Sequence, residues 1–388
     1  MTDWRAVWVI FAGGLAAGAT ITKVPPALPA IRADLGLGLV QSGFVHTMMY
    51  VIGGCLGVFG GTLADRFGQK RVALAGLVFM AVGSLGGAFS GDAAALLAAR
   101  FVEGLGFILF TVSAVPLLVG AAKPDDRGTA LSLWSCYMPT GGTIALLLAP
   151  VALATFGWRS LWMVLAAYAA GCAALLARCV PAPRFGGAVD PLRLLRESLP
   201  RPGILALCLA FTCYTGQWTS LMTWLPTFVV EERGMSQPAA ALVAAAFVAI
   251  NIPGNLLGGL LLRLGLRRWA AMAAGAVAMG LTAAIGFSNA VPDAGRFAAL
   301  LAFSLLGGII PGVIFSGAPV HARSPEHIGT TNGMIMQASH IAQFSVPILV
   351  AWVASRSGSW TASLATMLVL AALGVVAALM IRSAEARR

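Results

Sequence analysis

The chain has 388 residues, 59% of them hydrophobic and only 10% charged, with a mean hydropathy of +0.88. A soluble protein carries about 25% charged residues, so this composition excludes a soluble globular protein and indicates a polytopic membrane protein without a separate soluble domain. The net charge of +11 implies no nucleic-acid partner, because membrane proteins collect Lys and Arg in their cytoplasmic loops.

A spanning helix needs roughly 20 apolar residues. Twelve segments meet that length: 6–30, 40–62, 72–90, 94–120, 129–154, 160–179, 203–228, 238–262, 269–288, 295–320, 328–354 and 359–381. The first resembles a secretory signal in its opening residues. Its apolar run continues to Ala30, however, and further spans follow, so a retained first helix is expected. The stretch "ITKVPPALPAIR" places Lys23 inside that span, just before Pro25 and Pro26. A charge within the hydrocarbon layer is costly and is usually functional, and the prolines weaken the backbone ladder beside it.

Span 2 carries His46 and ends in the loop "GTLADRFGQKR", from Gly61 to Arg71. Gly61 and Gly68 suit a tight turn and close helix approach. Asp65 can pair with Arg66, Lys70 or Arg71, or cap the N-terminus of a neighbouring helix. A solvated turn with topogenic charges explains the basic residues but not the glycines and the aspartate. Span 4 holds Arg100 and Glu103, three residues apart on one helix face. At about 1.5 Å per residue, Lys23, His46, Arg100 and Glu103 fall in one layer roughly 9–14 Å below the outer surface. In span 5, Trp134, Tyr137 and Met138 offer an aromatic wall or ordinary core packing.

The basic, proline-rich stretch 180–202 divides the chain into an N-terminal six-helix bundle, 1–179, and a C-terminal one, 203–388. No span of the second half contains a charge. It offers Tyr214, Gln217, Trp218, Asn251, Asn255, Gln337, His340 and Gln343. Gln337, His340 and Gln343 recur every three residues on one face of span 11. These groups either complete a pocket by hydrogen bonding or join helices together; the second reading is favoured for Asn251 and Asn255. Pro139, Pro253, Pro311 and Pro347 are expected to mark bends. The six cysteines form no CxxC pair and read as small core residues.

The two halves repeat. "GGLLLRLGLRR" (258–268) follows the Gly61–Arg71 loop in register, 197 residues on, with Leu262 in place of the aspartate. Pro124, Gly128 and Thr129 recur as Pro325, Gly329 and Thr330, and Trp158 recurs as Trp360. Two homologous halves with a site between them near mid-membrane are the plan of a rocking transporter. Eighteen Lys and Arg lie at the termini and in the even-numbered connections, against five on the opposite side. That bias places both termini in the cytoplasm, and the expected location is the cytoplasmic (inner) membrane.

The loop Gly61-x-Leu63-Ala64-Asp65-Arg66-x-Gly68-x-Lys70-Arg71, the twelve spans and the degenerate second copy resemble the major facilitator superfamily over the whole chain. Arg100-x-x-x-Gly104-x-Gly106 in span 4 adds to the likeness. The resemblance implies an all-α fold of twelve helices in two pseudo-symmetric halves. It also implies that Gly61, Asp65, Arg66, Gly68 and Arg71 form a conformational latch of the outward-facing state. The stretches "KVPPALPAIRADLGL", "ARFVEGLGF" and "YMPTGG" resemble the branch of cyanate and nitroimidazole permeases.

Lys23 plus Arg100 minus Glu103 leaves one net positive charge, which favours an anion. The expected function is therefore secondary transport of a small anionic solute, a symport coupled to protons. Lys23, His46, Arg100, Tyr137, Gln217, Gln337 and His340 are the candidate substrate contacts. Glu103 or a histidine is the proton carrier. Lys23 has two alternatives, a structural pair with Glu103 or snorkelling to the headgroups; Arg100 has the structural pair with Glu103. The competing function is a proton-coupled efflux pump for drugs or neutral metabolites. HExxH, Walker, GxSxG and Cys/His-cluster motifs are absent, so no enzyme, cofactor or metal site is expected, and the chain is expected to act as a monomer.

Overall fold

The computed structural model describes residues 1–37, 39–182, 190–231 and 233–387. Two cations of the topology count, Arg184 and Arg388, and residues 183–189 of the central loop lie outside the described residues. The described residues form helices and contain no strand. Among the described residues, twelve helical spans are long and apolar enough to cross a membrane. Spans 1 to 6 are Trp4–Thr22, Gly43–Phe67, Gln69–Ala88, Ala93–Ala121, Pro124–Phe156 and Trp158–Cys179. Spans 7 to 12 are Pro202–Leu225, Leu242–Arg263, Arg268–Gly286, Asp293–His321, Pro325–Ser357 and Trp360–Ala386.

Prolines set where the helices break. A proline lacks the N–H for its i−4 carbonyl and crowds that carbonyl with its ring. Span 1 stops at Thr22, Lys23 is a turn, and a second helix runs Val24–Leu35. The continuous run expected over 6–30 is thus two helices hinged at the lysine. The same interruption occurs at Cys136, Ile250 and Gly308. Each break lies three residues before a proline: Pro26, Pro139, Pro253 and Pro311. Pro347 differs. It sits inside the unbroken helix Ile328–Ser357, and its own carbonyl accepts a hydrogen bond from Trp224 Nε1 at 2.9 Å.

The chain forms two compact units. Unit 1 comprises Met1–Ser198 together with Ala322–Gln337, and unit 2 comprises Leu199–His321 with Ala338–Arg388. The first half of span 11 therefore packs with the N-terminal helices. In unit 1, one apolar cluster gathers Val24, Ile31, Val45, Leu96, Trp158 and Trp162 at the end of the bundle away from the N-terminus. Asp34 closes that end, accepting from Trp158 Nε1 at 3.0 Å and pairing with Arg159. The Arg159 hydrogen bond, then the Trp158 one, holds the Asp34 carboxyl below the usual aspartate range.

Unit 2 is tied by a neutral polar network. Tyr214 Oη donates to Asn251 Oδ1 (3.1 Å), Asn251 Nδ2 to the Ser304 carbonyl (2.6 Å), and Asn255 Nδ2 to Asn251 Oδ1 (2.7 Å). Trp218 Nε1 donates to Ser304 Oγ at 2.9 Å. These bonds join spans 7, 8 and 10 through Asn251, which acts as an interhelical link, whereas Asn255 bonds back to Asn251 within its own helix.

Candidate functional site

The layer of charges anticipated in unit 1 closes into one cluster. Lys23, Arg100 and Glu103 are each 0% exposed. Lys23 Nζ lies 2.5 Å from Glu103 Oε1 and 3.1 Å from Ser84 Oγ. Arg100 Nη1 pairs with the other carboxylate oxygen, Oε2, and Ser84 Oγ donates to Oε1. The Lys23 ammonium also sits 4.2 Å from the centre of the Trp162 ring, a cation–π contact that partly replaces lost hydration. Snorkelling is therefore not what Lys23 does: its ammonium turns inward to the carboxylate.

The hinge explains part of this geometry. Carbonyls in the last turn of a helix have no intrahelical donor. Thr20 lies in the last turn of Trp4–Thr22, and Arg100 Nη1 donates to its carbonyl at 3.0 Å. Arg100 Nε donates to the carbonyl of Val45 at 2.9 Å. One guanidinium thus joins spans 1, 2 and 4. Its Nη2 is buried with no hydrogen-bond partner. Two cations share one carboxylate here, so the cluster holds one net positive charge and one unused donor.

The remaining candidates fall into separate groups. His46 follows Val45, is half-buried, and meets Tyr50 edge-on at 6.0 Å; its Nδ1 has no hydrogen-bond partner. Tyr137 is buried and stacks on Trp134 at 4.3 Å. Gln337, the last residue of unit 1, accepts the Val58 amide N–H on its Oε1 at 2.9 Å and so joins span 11 to span 2. Gln217 and His340 are buried in unit 2. Gln217 Nε2 donates to the Cys213 carbonyl at 3.0 Å, and its Oε1 is unpartnered. Gln343 Nε2 donates to Ser339 Oγ at 2.7 Å, which donates to Thr215 Oγ1 at 3.2 Å.

At the other end of unit 1, Asp65 caps the start of span 11. Its carboxylate accepts from the amides of Gly329 (3.1 Å) and Thr330 (2.6 Å) and from Thr330 Oγ1 (2.7 Å). Orphan N–H groups and the helix dipole both favour an anion at that place. Among the described residues Asp65 forms no ion pair. Of the two roles open to it, the geometry gives the cap.

Two glycine pairs at i, i+4 let the helices cross there. A Cβ on Gly61 would strike the Gly329 carbonyl, and one on Gly333 would lie 2.6 Å from the Gly57 carbonyl oxygen. Gly68, at φ +92°, turns the chain into span 3. Lys70 Nζ donates to the carbonyl of Ala177 at 2.8 Å, at the end of span 6. Arg66 and Arg71 are exposed, Arg66 lying over Phe67.

Sequence reasoning missed Ser84 and Trp162 at the charged cluster, and Gly57, Gly329 and Gly333 at the crossing. Their signal is contact, not residue type, since small residues and tryptophans are common in apolar spans.

The profile of the Major Facilitator Superfamily matches residues 10–345 and 207–388. The chain belongs to this superfamily. It is an integral membrane protein and a transporter, not an enzyme. It is 24% identical over 391 residues to the probable sulfoacetate transporter SauU of Cupriavidus necator, covering 92% of this chain and 89% of that one. It is 30% identical over 258 residues to the 3-(3-hydroxy-phenyl)propionate transporter of Escherichia coli, covering 64% and 60%. Among solved structures, the E. coli fucose:proton symporter FucP superimposes with a TM-score of 0.80 at 18% identity, over 98% of each chain. That likeness concerns the fold alone.

Proposed function

We propose that this superfamily member moves a small organic anion together with a proton by alternating access, with Lys23, Arg100 and Glu103 as the coupling centre. The observation that carries the reading is the buried cluster of two cations on one carboxylate, with Arg100 Nη2 unpartnered. Charge balance supplies the coupling. With Glu103 ionised and no substrate, the cluster is +1. With Glu103 protonated and a monoanion bound by Lys23 or Arg100, it is again +1. A proton alone leaves two buried cations unpaired, and an anion alone competes with Glu103 for both cations. Uncompensated buried charge is strongly disfavoured, so each ligand favours the other.

Two relatives support the anionic class, because sulfoacetate and 3-(3-hydroxyphenyl)propionate are both small acids. The stretches that resemble cyanate and nitroimidazole permeases fit as well: cyanate is a monoanion, and Lys23, Arg100, Glu103 and Tyr137 all lie within them. His46, Tyr137 and Gln337 in unit 1, and Gln217 and His340 in unit 2, are the proposed neutral contacts. Asp65 and the glycine crossing form the latch, which has to open and reform in each cycle. Both termini are cytoplasmic and the functional form is a monomer of two six-helix halves.

The test is uptake in proteoliposomes of labelled sulfoacetate and 3-(3-hydroxyphenyl)propionate, with the outside acid or at equal pH. Accumulation driven by the proton gradient and collapsed by a protonophore is the expected result. Transport of cationic drugs with no anion uptake would replace this reading with the efflux reading.

A further inference from the structure

A cleft of about 600 Å³ lies in unit 2, between the start of span 7, the end of span 10 and the end of span 12. It is separate from the charged cluster, which lies in unit 1. Its rim carries Arg201 and Arg387, and among the described residues neither forms an ion pair. The acid that could neutralise them is already engaged: Glu385 pairs with Arg268 and lies 3.4 Å from His321 Nε2. His321, buried at the inner wall, completes the polar lining with Ser383. The remaining wall is apolar, with Val376, Leu379 and Met380 on span 12.

Those apolar residues continue a stripe. Val369, Leu373 and Val376 follow at helical spacing and are 59%, 40% and 48% exposed. An exposed apolar stripe on a spanning helix faces acyl chains, and here it runs into a cleft rimmed by two guanidinium groups that form no ion pair among the described residues. Basic pockets between spanning helices recognise anionic headgroups. A soluble anion would use the arginines and leave the apolar wall unexplained.

We propose that this cleft binds one anionic phospholipid, its phosphate held by Arg201 and Arg387 and its acyl chain laid against Val376, Leu379 and Met380. The phosphate finds bidentate donors in the guanidinium groups. The bound lipid would bridge the first residues of span 7 and the last turn of span 12, joining the two ends of unit 2.

The test is native mass spectrometry of the full chain in detergent, titrated with phosphatidylglycerol, with phosphatidylcholine of the same acyl chains, and with inorganic phosphate. The expected result is one phosphatidylglycerol retained at concentrations where phosphatidylcholine is lost. Arg201→Gln/Arg387→Gln should raise the half-saturation concentration by at least about tenfold. Arg356→Gln, an exposed cation at the last residues of span 11, should leave it unchanged. Equal retention of the two lipids would overturn the proposal, as would undiminished phosphatidylglycerol binding in the double variant. Retention of inorganic phosphate as tight as that of phosphatidylglycerol would overturn the lipid assignment.

Discussion

The ammonium of Lys23 lies 2.5 Å from Glu103 Oε1, and neither side chain reaches solvent. Arg100 holds the other oxygen of the same carboxylate. The consequences of removing each charge are unequal, and that inequality can be measured.

Glu103→Gln leaves two buried cations without a counter-charge. Lys23→Gln leaves the neutral pair Arg100–Glu103. The double variant leaves Arg100 alone, still bonded to the carbonyls of Thr20 and Val45. Melting temperatures in detergent should therefore rank Lys23→Gln highest, the double variant next and Glu103→Gln lowest. The loss in Glu103→Gln should be about 3–5 kcal/mol. A Glu103→Gln protein as stable as Lys23→Gln would mean that the cluster is not charged as drawn.

Lys23→Gln should also weaken anion binding. Removing a charge-assisted hydrogen bond costs roughly 1.5–3 kcal/mol, so the dissociation constant should rise more than about tenfold. Lys23→Arg should restore binding only in part, since a guanidinium presents its donors differently. Isothermal titration with the transported acid measures this directly, and an unchanged constant in Lys23→Gln removes the lysine from the site.

Asp65→Ala should leave substrate affinity near the native value and lower turnover. It strips the cap from the Gly329 and Thr330 amides, a loss of about 0.5–2 kcal/mol. Gly333→Val should act through the same crossing, because its side chain would meet the Gly57 carbonyl. Stopped-flow transport rates test both. Normal turnover in both variants would leave the crossing a purely structural feature.

The helix Pro191–Ser198 offers a pH-dependent contact outside the membrane spans. Glu197 binds Arg193 (2.9 Å), Arg323 (2.7 Å) and His327 (3.1 Å). The Arg193 hydrogen bond, ahead of the other partners, holds its carboxyl below the usual glutamate range. A carboxylate depressed in the folded state stabilises above its unfolded value, and that gain is lost as the pH falls through the folded one. Wild type and Glu197→Gln should therefore differ slightly in melting temperature near neutrality and converge in acid. Curves that stay parallel into acid would show that Glu197 contributes nothing through its charge.

Much of this was legible in the chain. Hydropathy located the twelve spans, and counting residues from the span ends placed Lys23, Arg100 and Glu103 at one depth, where they meet. The hinge at Lys23 was legible as weakened backbone, because Pro25 and Pro26 follow it. The fate of Pro347 was not, since a proline within a spanning helix is tolerated when neighbours satisfy the freed groups. Ser84 was invisible because a serine in an apolar helix usually bonds its own backbone. The partners of Gly57 and Gly61 lie some 270 residues away, at Gly329 and Gly333, and no local pattern encodes that pairing.

In the proposed cycle, substrate and proton occupy one cluster together. Calorimetric titration of the anion in two buffers of different ionisation enthalpy counts the protons taken up on binding. Near neutral pH, wild type should take up about one proton per anion and Glu103→Gln about none. Anion binding to wild type with no proton uptake would contradict the account.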